Sequence, residues 1–230
     1  MSDFTTPFPA VSGLEASRRQ AFISKTYQHL LVAIVGFAAV ETFFFQMGWA
    51  LPMAQAMLGV SWLLVIGGFM VAGWLFSGIA ARSESKAGQY AALAGYVVAE
   101  AIFFVPLLVI AEIQAPGAIT SAAVATLVGF TGLTLVAMYS GKDFTFLGSA
   151  LRWAGICALV LIVCGVLFGF ELGVFFSVAM VAFAGAAILY ETSKVMNQYP
   201  EDRYVAAALA LFASVALLFW YVLRIFMSRR

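Results

Sequence analysis

Charge is what this sequence has least of. Only 10% of its 230 residues are Asp, Glu, Lys or Arg, while 64% are hydrophobic. With a mean hydropathy of +1.02, there is too little polar surface to coat a water-soluble globule. The chain reads as an integral membrane protein whose first partner is the lipid bilayer. A net charge of +1, without a Lys/Arg run or a basic stripe interleaved with aromatics, excludes nucleic acid as a partner. Cysteine occurs only at Cys157 and Cys164, on one apolar segment and about 10 Å apart along a helix, too far for a disulfide. They read as free thiols. Histidine occurs once, as His29 at the mouth of the first apolar run. The sequence has no H-E-x-x-H, G-x-S-x-G, Cys–His ligand set or phosphate-binding Gly-rich loop. An intramembrane aspartyl pair also lacks its residues, because Asp3, Asp143 and Asp202 all fall outside the apolar runs. The chain therefore reads as a non-enzyme with no catalytic residue, no metal and no other cofactor.

What is present is a succession of apolar stretches. Crossing the hydrocarbon core takes about 20 apolar residues as a helix, and seven stretches qualify: 27–48, 57–81, 89–111, 117–139, 150–169, 172–193 and 204–226. The predicted fold is all-α, a polytopic seven-transmembrane-helix bundle over 27–230. Residues 1–26 carry scattered Pro, Ser and charge but no apolar run, which predicts a flexible cytosolic tail rather than a cleaved signal peptide. Arg18, Arg19, Lys25, Arg82, Lys86, Lys142, Arg152, Lys194 and Arg203 fall at alternate loops, whereas 49–56, 112–116 and 170–171 carry no Lys or Arg. The positive-inside rule then places the N-terminus in the cytosol. Seven spans put Arg224, Arg229 and Arg230 on the outer side, against that rule. Either these are tolerated at a chain end, or a late segment is re-entrant.

Small residues at helical spacing, Gly165 with Gly169, Gly73 with Ser77, and Ala184 to Ala187, predict close internal helix contacts. Pro106 inside the third span frees the carbonyl of Ile102 and predicts a kink. Trp49, Trp62, Trp153 and Trp220 lie near span ends, which fits anchoring at the membrane interface.

Ionisable residues inside spans are expensive, and so are site candidates. Glu100 stands near the middle of the third span, where an ionised acid costs about 2.5–3.5 kcal/mol or more. It is either a proton or cation relay or a neutral carboxylic acid hydrogen-bonded to a neighbouring helix. Glu41 in the first span and Arg224 in the seventh carry opposite charges at matching depth, which makes a salt bridge plausible. The other reading has Glu41 reaching outward while Arg224 lies among headgroups. Glu191 sits near the end of the almost charge-free run from Leu172 to Tyr190, and Ser214 lies within the last run.

Three stretches carry a family resemblance. Lys25-Thr-Tyr-Gln-His-Leu30 opens the first span, and Gly141-Lys-Asp-Phe-Thr-Phe-Leu-Gly148 joins the fourth to the fifth. Ala187-Ile-Leu-Tyr-Glu-Thr-Ser-Lys194 is followed by Tyr204-Val-Ala-Ala-Ala-Leu-Ala-Leu-Phe212 and Leu223-Arg-Ile-Phe226. In order and spacing these resemble the Bax-inhibitor (TMBIM) superfamily over essentially the whole chain beyond the tail. The resemblance implies a seven-helix bundle of the Bax-inhibitor type. In the calcium-leak branch, two aspartates on the sixth and seventh helices form a pH-sensitive latch, and their positions match Glu191 and Ser214. One titratable group cannot form a shared-proton dyad. The arginine that supports the dyad from the second helix also has no counterpart within the second span, whose first basic residue is Arg82 at its end. Glu191-Thr192 with Ser214 on the last helix is instead similar to the bacterial YccA branch. A member of that branch binds and restrains the membrane AAA protease FtsH, with the cytosolic N-terminal tail as the segment the protease engages. The family's salt bridge between a first-helix acid and a last-helix arginine matches Glu41 and Arg224. The resemblance thus implies a multi-pass bacterial inner-membrane protein that modulates FtsH in membrane-protein quality control and stress response. The alternative is a pH-sensitive leak of calcium or protons using Glu100 and Glu191.

Overall fold

The structure, a computed structural model, describes residues 10–228. Among these, a short 3-10 turn (Val11–Gly13) precedes eight α-helices: α1 (Ala16–Gln46), α2 (Ala50–Leu58), α3 (Trp62–Arg82), α4 (Lys86–Gln114), α5 (Ala118–Tyr139), α6 (Leu147–Phe168), α7 (Gly173–Asn197) and α8 (Tyr204–Ser228). Seven are long and apolar enough to cross a membrane, and each predicted apolar stretch falls largely on one of them. The nine-residue α2 is too short to span. It occupies the segment 49–56 that reads as a plain loop in the sequence. Ala50 and Ala54, one turn apart, seat it against Ala101, Val105 and Val109 of α4.

The bundle has a centre and a rim. The most hydrophobic window of α8 is 67% buried and that of α4 61%, against 6% for α3 and none for α6. Helix α8 packs against α1, α3, α4, α5 and α7, so it needs no polar face, and its sequence has almost none. Ala206, Ala207 and Ala208 are buried there, and their small side chains allow close helix approach in an apolar medium. Ala184 and Gly185 of α7 are also buried, and a Cβ on Gly185 would come within 3.3 Å of Leu133 on α5. That small-residue run is an internal contact, as predicted. Gly165 and Gly169 serve otherwise: Gly169, at φ 72°, caps α6 in the left-handed region that favours glycine, and Gly165 lies beneath the following Phe170 carbonyl. Helix α4 runs through the buried Pro106 from Lys86 to Gln114.

The first turns of α1, the loop between α3 and α4 and the loop between α7 and α8 meet at one basic end of the bundle, where Lys25 and Lys86 stand over the Tyr204 ring and Arg203 donates to the Ser83 carbonyl. There the predicted flexible tail needs correction. Residues 16–26 belong to α1, so the helical domain begins well before 27. Residues 10–14 are held too, because Val11 is fully buried and its N–H donates to the Tyr199 carbonyl at 3.0 Å. Ala10 pairs with Pro200 in an isolated β-bridge, and Arg18 forms an ion pair with Glu201. The rest of the predicted tail, residues 1–9, lies outside the described residues. An apolar Val11 five residues ahead of Ala16 gives the segment something to bury against the turn between α7 and α8.

Candidate functional site

The first predicted site, around Glu191, lies in the last two turns of α7 at the basic end. Its carboxylate accepts hydrogen bonds from Lys194 Nζ at 3.1 and 3.2 Å and from the Tyr199 hydroxyl at 3.3 Å. Lys194 in turn stands over the rings of Tyr190 and Tyr199, 5.0 and 5.1 Å from their centroids. Burial and the neighbouring Glu191 carboxylate hold the Tyr199 phenol well above its usual 10.0, so it stays a donor. The next two residues fasten other elements. Thr192 Oγ1 lies 3.4 Å from the Tyr27 hydroxyl of α1, and Ser193 Oγ accepts from the Phe144 N–H of the α5–α6 loop at 3.0 Å. Glu191-Thr192-Ser193 thus ties α7 to three neighbouring segments.

Ser214 does not meet Glu191. Its hydroxyl donates to the Ala210 carbonyl of its own helix at 3.1 Å. Counted from the turn that joins α7 to α8, Glu191 is about 9 Å along its helix and Ser214 about 15 Å along its own, at 1.5 Å per residue. The two therefore sit roughly one helical turn apart in depth.

The rest of the basic end is closed by a polar and aromatic net. Lys86 donates to the Asp202 carbonyl and stands 4.3 Å over the Tyr204 ring. Arg203 pairs with Asp202 at 3.1 Å and donates to the Ser83 carbonyl. His29 Nε2 is 3.2 Å from the Tyr90 hydroxyl, which is itself 3.2 Å from that of Tyr204. The sequence places His29 only at the mouth of the first apolar run. Tyr90 and Tyr204, its partners from α4 and α8, gave no signal because they come from helices far apart in the chain.

The second site is a cavity of about 900 Å³ bounded by α3, α4, α6, α7 and α8. It exists because α3 leans on α4 and α8 and barely touches α6. Its lining runs from Glu100 in mid-bundle to Arg224, Glu171 and Ser228 at the end opposite the basic loops. Glu100 is 4% exposed; Tyr96, one turn earlier on α4, is its polar neighbour, and its Oε2 has no hydrogen-bond partner. Trp62 and Trp220 belong to this lining, stacked with Phe103. They form one wall of the cavity, whereas Trp49 and Trp153 face outward, 53% and 74% exposed.

The expected salt bridge between Glu41 and Arg224 is not formed. Arg224 lines the cavity and Glu41 does not. Glu41 is 6% exposed, and neither carboxylate oxygen has a hydrogen-bond partner. Matching depth on two helices fixes only one coordinate of a contact. The side chains must also share an azimuth, and only Arg224 is turned to the cavity.

A bundle of seven spans around one central helix fits many membrane proteins; its sequence profile decides among them. A profile described as inhibitor of apoptosis-promoting Bax1 matches residues 19–230. The chain belongs to this Bax1-inhibitor family. No curated protein matches it. Membership makes it a multi-pass membrane protein of a family that is not enzymatic. Among the described residues no group of three or more His, Cys, Asp or Glu could hold a metal ion. Within the Bax1-inhibitor match, Glu191 and Ser214 sit on the last two spans without touching, and Cys157 and Cys164 are free thiols.

Proposed function

We propose that this Bax1-inhibitor family member acts in a bacterial inner membrane by binding, as a modulator of the membrane AAA protease FtsH. The observation that carries this reading is the closed basic end. Glu191 is bonded to Lys194 and Tyr199 rather than to a second acid, which removes the shared-proton latch a pH-gated pore of this family would need. The Lys and Arg distribution supports a cytosolic position for that end. A protease drawing on the segment before Ala10 would pull against buried Val11 and the Arg18–Glu201 ion pair, and so against the whole bundle. Such an anchor lets a substrate-like segment occupy the protease while the fold resists extraction. Co-purification from detergent-solubilised membranes tests it: FtsH is expected with the full chain and is expected to be lost when residues 1–14 are removed. Equal recovery with the truncated chain at the same membrane abundance would sink the proposal.

A second reading, a leak path for protons or calcium, is favoured by one observation, the buried Glu100 with an unpartnered oxygen on a cavity. It calls for flux in proteoliposomes that Glu100→Gln abolishes. Flux that is absent, or is unchanged by that substitution, removes this reading without touching the first.

A further inference from the structure

The cavity sets the buried acid of the leak reading beside a second feature that neither proposed function uses. One is the Glu100 carboxylate, nine-tenths buried, lining the space with Oε2 unpartnered. The other is a bank of four near-parallel aromatic rings. Phe69 and Phe103 stack at 4.3 Å with 17° between planes. Phe103 and Trp220 lie at 4.8 Å and 25°, and Trp62 lies 5.7 Å from Phe103 at 27°. All four rings line the same space as Glu100.

The chemistry of the walls narrows the occupant. A bare metal ion would find Glu100 in mid-bundle and Glu171 at the far end, but among the described residues no group of three or more His, Cys, Asp or Glu to complete its shell. An anion would meet the carboxyl oxygens of Glu100 and the negative faces of the aromatic rings. A neutral apolar molecule would bury the rings but leave the Glu100 oxygen without a partner, the costly case for a polar group away from water. A monovalent organic cation with an apolar body meets both demands: its charge sits against the carboxylate and over aromatic faces, and its body replaces lipid or water along the apolar wall. The volume, about 900 Å³, lies in the range of small-molecule sites, which are mostly apolar with a few placed polar groups. At the far end Arg224 and Glu171 carry opposite charges and line the space together, so that end adds no net charge to oppose a cation.

We infer that this cavity is a binding site for lipophilic organic cations, with Glu100 as the counter-charge and Trp62, Phe69, Phe103 and Trp220 as the aromatic wall. The test uses the full chain in lipid nanodiscs, with tetraphenylphosphonium as the cation and triphenylphosphine oxide as a neutral analogue of similar shape. Binding is read by equilibrium dialysis against empty nanodiscs and by quenching of tryptophan fluorescence. The cation is expected to bind saturably at one site, and the neutral analogue about tenfold more weakly or worse. Glu100→Gln, which keeps the shape and removes the charge, is expected to weaken the cation about tenfold while leaving the analogue unchanged. No saturable binding above empty nanodiscs, or equal affinity for cation and analogue, overturns the inference. So does an undiminished affinity of Glu100→Gln. Should that variant fail to fold, the contrast between cation and analogue on the unmodified chain decides alone.

Discussion

At the scale of single residues, some of the tight places in the bundle are glycines facing rings. A Cβ on Gly148 would stand 2.8 Å from the Tyr190 ring, between α6 and α7. Gly148→Ala is therefore expected to cost about 1–3 kcal/mol by overpacking, seen as a lower unfolding temperature in detergent. Gly132, in the body of α5, has nothing within 4 Å of such a Cβ. Gly132→Ala should raise stability by about 0.5–1 kcal/mol through helix propensity. A similar loss in both would show that the α6–α7 contact is looser than described. The acids make a second comparison. Glu41 has no partner and Arg224 faces the cavity, so Glu41→Gln and Arg224→Gln should add within about 0.5 kcal/mol in a double-mutant cycle. A larger coupling would mean that the two side chains meet in the membrane after all. This is also where the sequence was least legible. Glu41, Glu100, Glu191 and Arg224 stood out because charge within a span is rare, but their partners did not, since an azimuth around a helix cannot be read without its neighbours.

At the scale of elements, the spans were legible because each is a run of about 20 apolar residues, a signal that needs no tertiary knowledge. Helix α2 was not, because nine residues between two spans can be helix or loop until Ala50 and Ala54 find α4. The start of α1 was missed for a related reason. Ala16 to Lys25 has no apolar run, and is helical as the extension of a span whose first turns lie against the α7–α8 turn. That turn makes the next two predictions. Val11→Asp would place a charge in a fully buried position, and should speed amide exchange across residues 198–203 while the interior of α8 stays protected. Unchanged exchange there would mean Val11 is not what holds the turn. Tyr199 sets a pH dependence with a definite sign. Its folded phenol lies well above the usual 10.0, so its contribution is present below about pH 10 and lost as pH rises past the unfolded value. Tyr199→Phe should flatten the fall in thermal stability between about pH 10 and 11 relative to the unmodified chain; parallel curves would remove Tyr199 from the account.

At the scale of the whole molecule, the arrangement of the spans rather than their number separates this bundle from a ring of equivalent helices. Count and alternation of basic loops were readable from composition, and the profile match over 19–230 agrees with the resemblance carried by the C-terminal third. Which helix stands at the centre was visible only weakly, in a last segment with no polar face. Helix α8 is enclosed by five of the other spans or their partners, and it follows all of them in the chain. A ribosome releases all five of these spans before the one they surround. Until that moment the early spans pack only on one another, and Glu100 faces a space that α8 has yet to wall. Assembly of the bundle should therefore wait on α8, which is drawn into a gap that the spans before it already shape. Chains arrested before α8 should be cleared quickly from the membrane rather than accumulate as a stable six-helix form.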